Sequence, residues 1–253
     1  MDFGKFIDEI GGEEYREAVL SCPVEEKLLD LFYCDFTAFE KAGREKDDSA
    51  LFFLSAYTRL AYNAMSEGLR RGIPESVLIA TFADITTWEK WYRRKRGKAG
   101  LDRIGWLRNH LSFRIFRLGE LQFEITNQTW NGFELYMVHV PEGAVLDKAE
   151  DSFSASLSFF RKDEAAFAIE SWLLSPEINS FLPQSSSIRR FSSLFTLCRT
   201  EESRQAEERI FGFIAEDPAQ YVASTSLAEK VKSYLLAGGR IENGYGVLVR
   251  PIR

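Results

Sequence analysis

The sequence predicts an α+β fold in which an all-helical N-terminal domain precedes a mixed-sheet C-terminal domain. In the first part of the chain, apolar residues recur at three- and four-residue steps, which is typical of amphipathic helices. From Leu118 the period drops to two, which indicates a half-buried strand. Strand-like and helical runs then alternate, an order that predicts a central sheet. We therefore expect domains at residues 1–117 and 118–253.

Length and composition argue against several classes of protein. With 253 residues and 45% hydrophobic content, the chain can bury sizeable cores, which argues against global disorder. The net charge of −6 argues against a nucleic-acid binder. The first ten residues carry acids, and no window approaches the roughly 18 apolar residues of a membrane span, so we expect a cytoplasmic protein without a membrane partner. The scattered cysteines and two histidines predict neither a disulfide framework nor a metal site.

Five or six helices are predicted in the N-terminal domain, and their apolar spacing places them at residues 2–10, 25–43, 51–72, 74–97 and 106–116. The third is apolar around most of its circumference, which predicts a central, buried helix. Gly43 and Gly97 are expected to end helices, Asp47 or Asp48 to cap the central one, and Pro74 to occupy a first turn.

A strongly basic segment lies at the end of this domain. Residues 88–117 carry ten Lys or Arg against two acids, a charge of +8, so the rest of the chain carries −14. The segment could cradle an anionic ligand, such as the phosphates of an acyl carrier. Alternatively, it is a solvated helix end whose cations interact favourably with the helix dipole.

In the C-terminal domain, strands are predicted at residues 118–125, 133–140, 166–174 and 191–198, and helices at 147–162, 175–182, 201–215 and 226–237. Residues 126–132 and 183–190 have the composition of turns. Asp147 is the expected N-cap of the first helix, and Ser175 with Pro176 opens the second. Asn243 and Gly244 predict a type I′ hairpin turn.

Few residues in this domain are candidates for chemistry. His139 is expected at the carboxyl end of a strand, where open sheets often present ligand-contacting groups, and it could remove a proton from an attacking amine. It could instead only hydrogen-bond the strand end. Glu120 and Glu124, predicted on one face of the preceding strand, could serve as the base, although strand alternation also explains them. Cys198 is interpreted as a buried structural thiol.

Six motifs along the chain resemble those of a known family: GWLRNHL, LGELQFE, VHVPEG, SWLLSP, SIRRF and LLAGGR. The series is similar to bacterial acyltransferase-domain proteins that pair a helical N-terminal domain with a GNAT-like C-terminal domain. The resemblance implies that acetyl-CoA or another acyl-CoA lies in a splay between two parallel strands, with its pyrophosphate on a glycine-rich loop at a helix N-terminus. The matching loop, residues 139–146, has one glycine, a proline that cannot donate and an acid that repels phosphate.

The resemblance implies a GNAT-like N-acyltransferase that transfers an acyl group directly from a CoA thioester to a small-molecule or peptide amine. His139, Glu124 or Glu120 would act as the base. Backbone amides near Gly143 and Ala144 would hold the carrier, and the basic segment, through residues such as Arg108 and Arg114, would supply positive charge. The alternative is a catalytically degenerate GNAT-like module for ligand sensing or protein interaction.

Overall fold

The computed structural model describes residues 1–251, and its contacts divide the chain into two compact units, Met1–Leu118 and Gly119–Arg253. The first unit contains eight helices among its residues: α1 (Phe3–Glu9), α2 (Arg16–Leu20), α3 (Glu26–Cys34), α4 (Phe36–Arg44), α5 (Ser49–Arg70), α6 (Glu75–Phe82), α7 (Asp84–Arg96) and α8 (Ile104–Leu111). A short strand, β1 (Ile115–Leu118), ends the unit. The predicted α+β class is confirmed.

The long helix α5 is the core of the first unit, as its pattern predicts. The side chain of Asp48 accepts a hydrogen bond from the backbone N–H of Leu51, which confirms the expected N-cap. Twelve residues of this helix are buried, so apolar neighbours surround it on most sides. Gly97 ends α7 in the left-handed conformation with φ of 71°, as expected for a C-cap.

Three helix predictions in this unit are wrong. The helix predicted at residues 74–97 is divided at Ala83 into α6 and α7. Residues 25–43 form two helices, because the side chain of Asp35 caps α4 and interrupts the pattern. Gly43 lies inside α4 rather than at its end, and a side chain there would overlap the ring of Phe53. The glycine therefore permits close helix packing.

The predicted helix at residues 106–116 is also too long. It ends at Leu111, and Phe113 then adopts a positive φ of 54° that turns the chain into β1. The N–H of Arg117 in β1 donates to Oγ1 of Thr81 at 3.0 Å. Ile115 and Phe116 are both buried in the strand. Because a short apolar run is compatible with a buried helix or a buried strand, the sequence could not distinguish the two.

The second unit contains a sheet with the strands β2 (Leu121–Trp130), β3 (Phe133–His139), β4 (Glu164–Ser171), β5 (Thr196–Glu202) and β6 (Glu242–Pro251). Its helices are α9 (Ala149–Phe160), α10 (Pro176–Phe181), α11 (Ser187–Ser192), α12 (Gln205–Phe211) and α13 (Ser226–Leu236). Within this unit the strand order is β2-β3-β4-β6-β5. β3 and β4 are parallel, with α9 in the crossover between them, whereas the other pairs are antiparallel.

An aromatic core joins α9 to one face of this sheet. Phe153 of α9 lies 5.8 Å from Phe123 and 5.0 Å from Phe167, measured between ring centroids. All three rings are buried. This face is therefore filled by packing, which leaves functional groups to the strand ends and to the opposite face.

The C-terminal hairpin prediction is wrong. Asn243 and Gly244 lie inside the continuous strand β6, and Gly244 pairs with Ser171 on one side and Thr200 on the other. A Cβ at position 244 would lie 2.5 Å from the carbonyl oxygen of Leu174. A glycine is required at position 244 because the backbone of Leu174 approaches it closely. The Asn-Gly pair therefore reflects packing inside the sheet and does not form a turn.

Other local predictions in the second unit also change. The turn predicted at 126–132 occupies Asn131 and Gly132, both with positive φ, after a bulged β2. Asp147 lies in a 3-10 helix, Leu146–Lys148, and accepts a hydrogen bond from Arg190 instead of capping α9. The segments predicted as a polar turn and a strand at 183–198 contain α11 and only the start of β5.

Two further predictions in this unit have opposite outcomes. Cys198 lies in β5, the last strand at one edge of the sheet, and it is exposed. Its interpretation as a buried thiol is therefore wrong. The Ser175–Pro176 helix start is confirmed, with the Ser175 hydroxyl accepting from the N–H of Ile178.

Candidate functional site

The parallel strands β3 and β4 separate at their carboxyl ends. Their pairing runs from Leu135–Ala166 to Met137–Ala168 and extends no further in the described residues. Both strands nevertheless continue, β3 to His139 and β4 by three more residues. Their inner backbone groups therefore border a gap beyond the last pair, where an extended ligand could bond to them as an added strand would.

The outer edges of the two strands hold this gap in place. His139 remains paired with Gln122 of β2, and Ser171 remains paired with Gly244 of β6. Because each diverging end is fixed in the sheet, the geometry of the gap depends on strand pairing and not on a loop.

His139 and Glu124 form a hydrogen-bonded pair beside the gap. Nε2 of His139 lies 3.0 Å from Oε2 of Glu124, and the side chains are 28% and 20% exposed. Glu124 pairs with Met137, two residues before His139, so both side chains lie on one face of the sheet. When the neutral ring donates its Nε2 proton to the carboxylate, the lone pair resides on Nδ1.

Glu120 has a different environment from the one predicted. It precedes β2 and does not line the face of that strand. Its N–H donates to Oγ of Ser152 in α9, and its Oε2 accepts a hydrogen bond from the N–H of Val145 at 3.1 Å. Glu120 therefore ties the loop after β3 to the start of the following helix.

Gly143 and Ala144 lie in the loop that follows β3. Gly143 is exposed and has a positive φ of 82°, a conformation that favours glycine. The N–H of Ala144 donates to the carbonyl oxygen of Pro141 at 3.2 Å, closing a turn. The loop amides at Ala144 and Val145 are thus engaged within the second unit. The 3-10 helix Leu146–Lys148 connects the loop to the N-terminal end of α9.

Arg108 and Arg114 belong to the first unit. Arg108 lies in α8, where its guanidinium stacks over the ring of Phe36 at 4.3 Å. Arg114 is exposed between α8 and β1, and its N–H donates to the carbonyl oxygen of Asn109. Two further cations of the basic segment form ion pairs: Lys98 with Asp48 and Arg93 with Glu89, each at 2.8 Å.

Sequence reasoning missed a charged group on β4. Glu170 accepts a hydrogen bond from Arg199 of β5 at 3.1 Å, and this guanidinium lies 4.4 Å from the ring centroid of Tyr245. The cluster crosses three strands whose pairing cannot be derived from local patterns. No grouping of metal-ligating residues occurs in the described part of the chain, and none of the helices within residues 1–251 is long and apolar enough to cross a membrane.

Two family models match the chain, and several solved structures share its fold. An acyltransferase in complex with decanoyl-CoA and teicoplanin has a TM-score of 0.81 at 21% identity, covering 98% of this chain and 87% of that one. An acyltransferase with CoA and 10C-teicoplanin has a TM-score of 0.80 at 21% identity, covering 96% and 86%. A third, in complex with decanoyl-CoA, has a TM-score of 0.69 at 18% identity, covering 98% and 99%.

At these low sequence identities, the TM-scores show a shared fold and no more. No curated protein sequence matches the chain significantly. The N-acyltransferase N-terminal domain matches residues 11–113, and the GNAT-like C-terminal domain matches residues 115–248, more than half of the chain. The chain therefore belongs to the family of proteins with a GNAT-like C-terminal domain, here preceded by an N-acyltransferase N-terminal domain.

Proposed function

We propose that this protein is an acyl-CoA-dependent N-acyltransferase that transfers an acyl group directly from the thioester to an amine. The observation that carries the proposal is the gap between β3 and β4, with the His139–Glu124 pair at its edge. We assign the chemistry to a domain at residues 118–253, preceded by a helical domain at residues 1–117.

The donor is proposed to bind in the gap in an extended conformation. The amide groups of its pantetheine arm would bond to the inner backbone groups of the diverging strands, because strands that end their pairing still offer donors and acceptors. Its pyrophosphate would lie near Gly143 and the N-terminal end of α9, where helix N–H groups favour anions. The decanoyl-CoA and CoA complexes of proteins with the same fold support an acyl-CoA donor.

In the proposed mechanism, the amine nitrogen attacks the thioester carbonyl carbon. A C–N bond forms, the C–S bond breaks, and one nitrogen proton passes to Nδ1 of His139. The imidazolium then gives this proton to the leaving thiolate, which becomes the free thiol of CoA. Glu124 holds the imidazole in the required tautomer and stabilises the imidazolium that forms. No covalent acyl-enzyme is required, since positioning of the two substrates accounts for the reaction.

The acceptor is proposed to be a small-molecule or peptide amine. Two acyltransferases with the same fold are described with teicoplanin or 10C-teicoplanin, which supports a small-molecule or peptide acceptor.

Calorimetry and product analysis test this function. Wild-type protein is expected to bind decanoyl-CoA and, in the presence of a reactive amine, to release CoA. His139→Ala is expected to retain donor binding and to lose about 100-fold or more in kcat, in line with the loss of a general base. The function is wrong if the wild-type protein binds no acyl-CoA at millimolar concentration. Unchanged turnover in His139→Ala would remove this residue from the mechanism.

A second candidate function is a catalytically degenerate ligand-sensing or protein-interaction module. The engagement of the Ala144 and Val145 amides inside their own loop favours it, because fewer amides then remain for a phosphate. Donor binding without turnover of any amine would support this alternative.

A further inference from the structure

Strand register aligns a row of polar residues across the sheet. Parallel pairing ends at Met137–Ala168, and two residues further on each strand lie His139 and Glu170, at the same level and on the same face. Glu170 is paired with Tyr245 of β6. The gap between β3 and β4 is therefore bordered by an imidazole on one side and a carboxylate on the other.

The carboxylate of Glu170 is accessible and only partly engaged. Its Oε2 accepts from Nη2 of Arg199, and the side chain is 41% exposed. Among residues 1–251, no second donor bonds its Oε1. Arg199 is held over the ring of Tyr245, which keeps the guanidinium on the side of Glu170 away from the gap. One carboxylate oxygen is thus available to a cation that enters the gap.

The charges around His139 favour a cationic ligand. Glu124 lies on β2, next to the strand that carries His139. Glu170 lies on β4, on the other side of the gap from His139. Simple alkylamines have pKa values near that of a lysine side chain, about 10.4, so they are protonated at neutral pH. A hydrogen bond from an ammonium to a carboxylate is stronger than one between neutral groups.

We propose that Glu170 binds the ammonium group of the acceptor, and that the acceptor is a cationic primary amine that reaches His139 across the gap. This proposal rests on the acyltransferase function above. The ammonium gives one proton to Nδ1 of His139, and the neutral nitrogen attacks the thioester carbonyl carbon. As the C–N bond forms and the C–S bond breaks, the imidazolium protonates the leaving sulfur, and the second nitrogen proton is released to water.

The chain offers two matched controls. Glu164 lies on the same face of the same strand, six residues from Glu170 and therefore about 20 Å away. Arg199→Gln removes the ion pair of Glu170 but leaves the carboxylate. Glu164→Gln shows the effect of removing a carboxylate elsewhere on β4. Arg199→Gln shows the effect of breaking the ion pair while the carboxylate of Glu170 remains.

The test measures steady-state kinetics with decanoyl-CoA and four amines: methylamine, tyramine, glucosamine and glycinamide. CoA is quantified by chromatography, because Cys34 and Cys198 are exposed and would consume a thiol reagent. Glu170→Gln is expected to raise the KM for the best amine about tenfold, with kcat and the KM for decanoyl-CoA within twofold of wild type. Glu164→Gln and Arg199→Gln are expected not to raise the KM for the amine.

Other outcomes overturn the proposal. An unchanged amine KM in Glu170→Gln, or an equal rise in Glu164→Gln, shows that Glu170 does not bind the acceptor. Absence of decanoyl-CoA binding, or donor binding with none of the four amines acylated, instead contradicts the acyltransferase function itself. A wild-type protein that binds the donor and acylates an amine therefore separates failure of the Glu170 proposal from failure of the function.

Discussion

Nε2 of His139 lies 3.0 Å from Oε2 of Glu124, and the two residues belong to adjacent antiparallel strands. Their contact is diagonal, since Glu124 pairs with Met137 and His139 pairs with Gln122. The sheet therefore sets the orientation of the imidazole, which makes the pair suited to proton transfer at a defined position.

Replacement of Glu124 tests the role of this pair. Glu124→Gln preserves size but can donate to Nε2, which favours the wrong tautomer of His139. We expect kcat to fall about 100-fold with little change in the KM for decanoyl-CoA, because the carboxylate orients a general base. Glu134→Gln is the control, since Glu134 is exposed on β3 and pairs with Lys162. A Glu124→Gln variant with the kcat of wild type would show that Glu124 does not orient His139.

Replacement of Glu120 tests the loop after β3. Glu120→Ala removes the acceptor for the N–H of Val145, so the loop that precedes α9 becomes less ordered. We expect the dissociation constant for decanoyl-CoA, measured by calorimetry, to rise about tenfold, the equivalent of one hydrogen bond of about 1.4 kcal/mol. The kcat at saturating donor is expected to remain within threefold. A large loss of kcat with unchanged donor binding would identify Glu120 as a catalytic group instead.

Gly244→Ala is expected to destabilise the second unit. The added Cβ would lie 2.5 Å from the carbonyl oxygen of Leu174, so either β6 or the 3-10 helix Trp172–Leu174 must shift. Overpacking of this kind costs about 1 to 3 kcal/mol, which lowers the thermal midpoint by several degrees. Gly105→Ala in α8 is the control, because nothing lies within 4 Å of its added Cβ, and it is expected to be neutral or stabilising. Equal midpoints for the two variants would contradict the packing argument.

A buried carboxylate in the second unit makes stability depend on pH. Burial tends to raise the pKa of Glu207, but hydrogen bonds from Arg204 and Tyr221 outweigh it, so the pKa lies below its usual value. A lowered folded-state pKa contributes stability that is fully present above about pH 4.3, the usual value for glutamate, and is lost as pH falls through the folded pKa.

Thermal melting between pH 7 and pH 3 checks this linkage. Wild-type protein is expected to lose more stability on acidification than Glu207→Gln, whose uncharged side chain cannot titrate. Glu202→Gln serves as the control, because Glu202 forms an exposed ion pair with Arg240 and such pairs contribute little. Parallel pH profiles for wild type and Glu207→Gln would show that Glu207 does not supply the linkage.

The helical first half, a cap of α5 at Asp47 or Asp48 and the position of His139 at a strand end can all be predicted from the sequence, and the structure shows that Asp48 is the cap. These features depend on apolar periodicity and on hydrogen bonds between residues three apart, so a short window contains them. The family motifs likewise predicted the class of the second half, and the family models confirm it.

The residues that surround His139 could not be predicted from the sequence, because they depend on tertiary packing. Glu124 was a candidate base, but its bond to His139 depends on the register of β2 with β3, and Glu170 reaches the same level only through the pairing of β3 with β4. The hairpin turn predicted at Gly244 is wrong for a similar reason. A glycine is needed there because the backbone of Leu174, far away in the sequence, approaches it closely. Strand order and close backbone approaches arise from packing between segments far apart in the chain, and local patterns do not encode them.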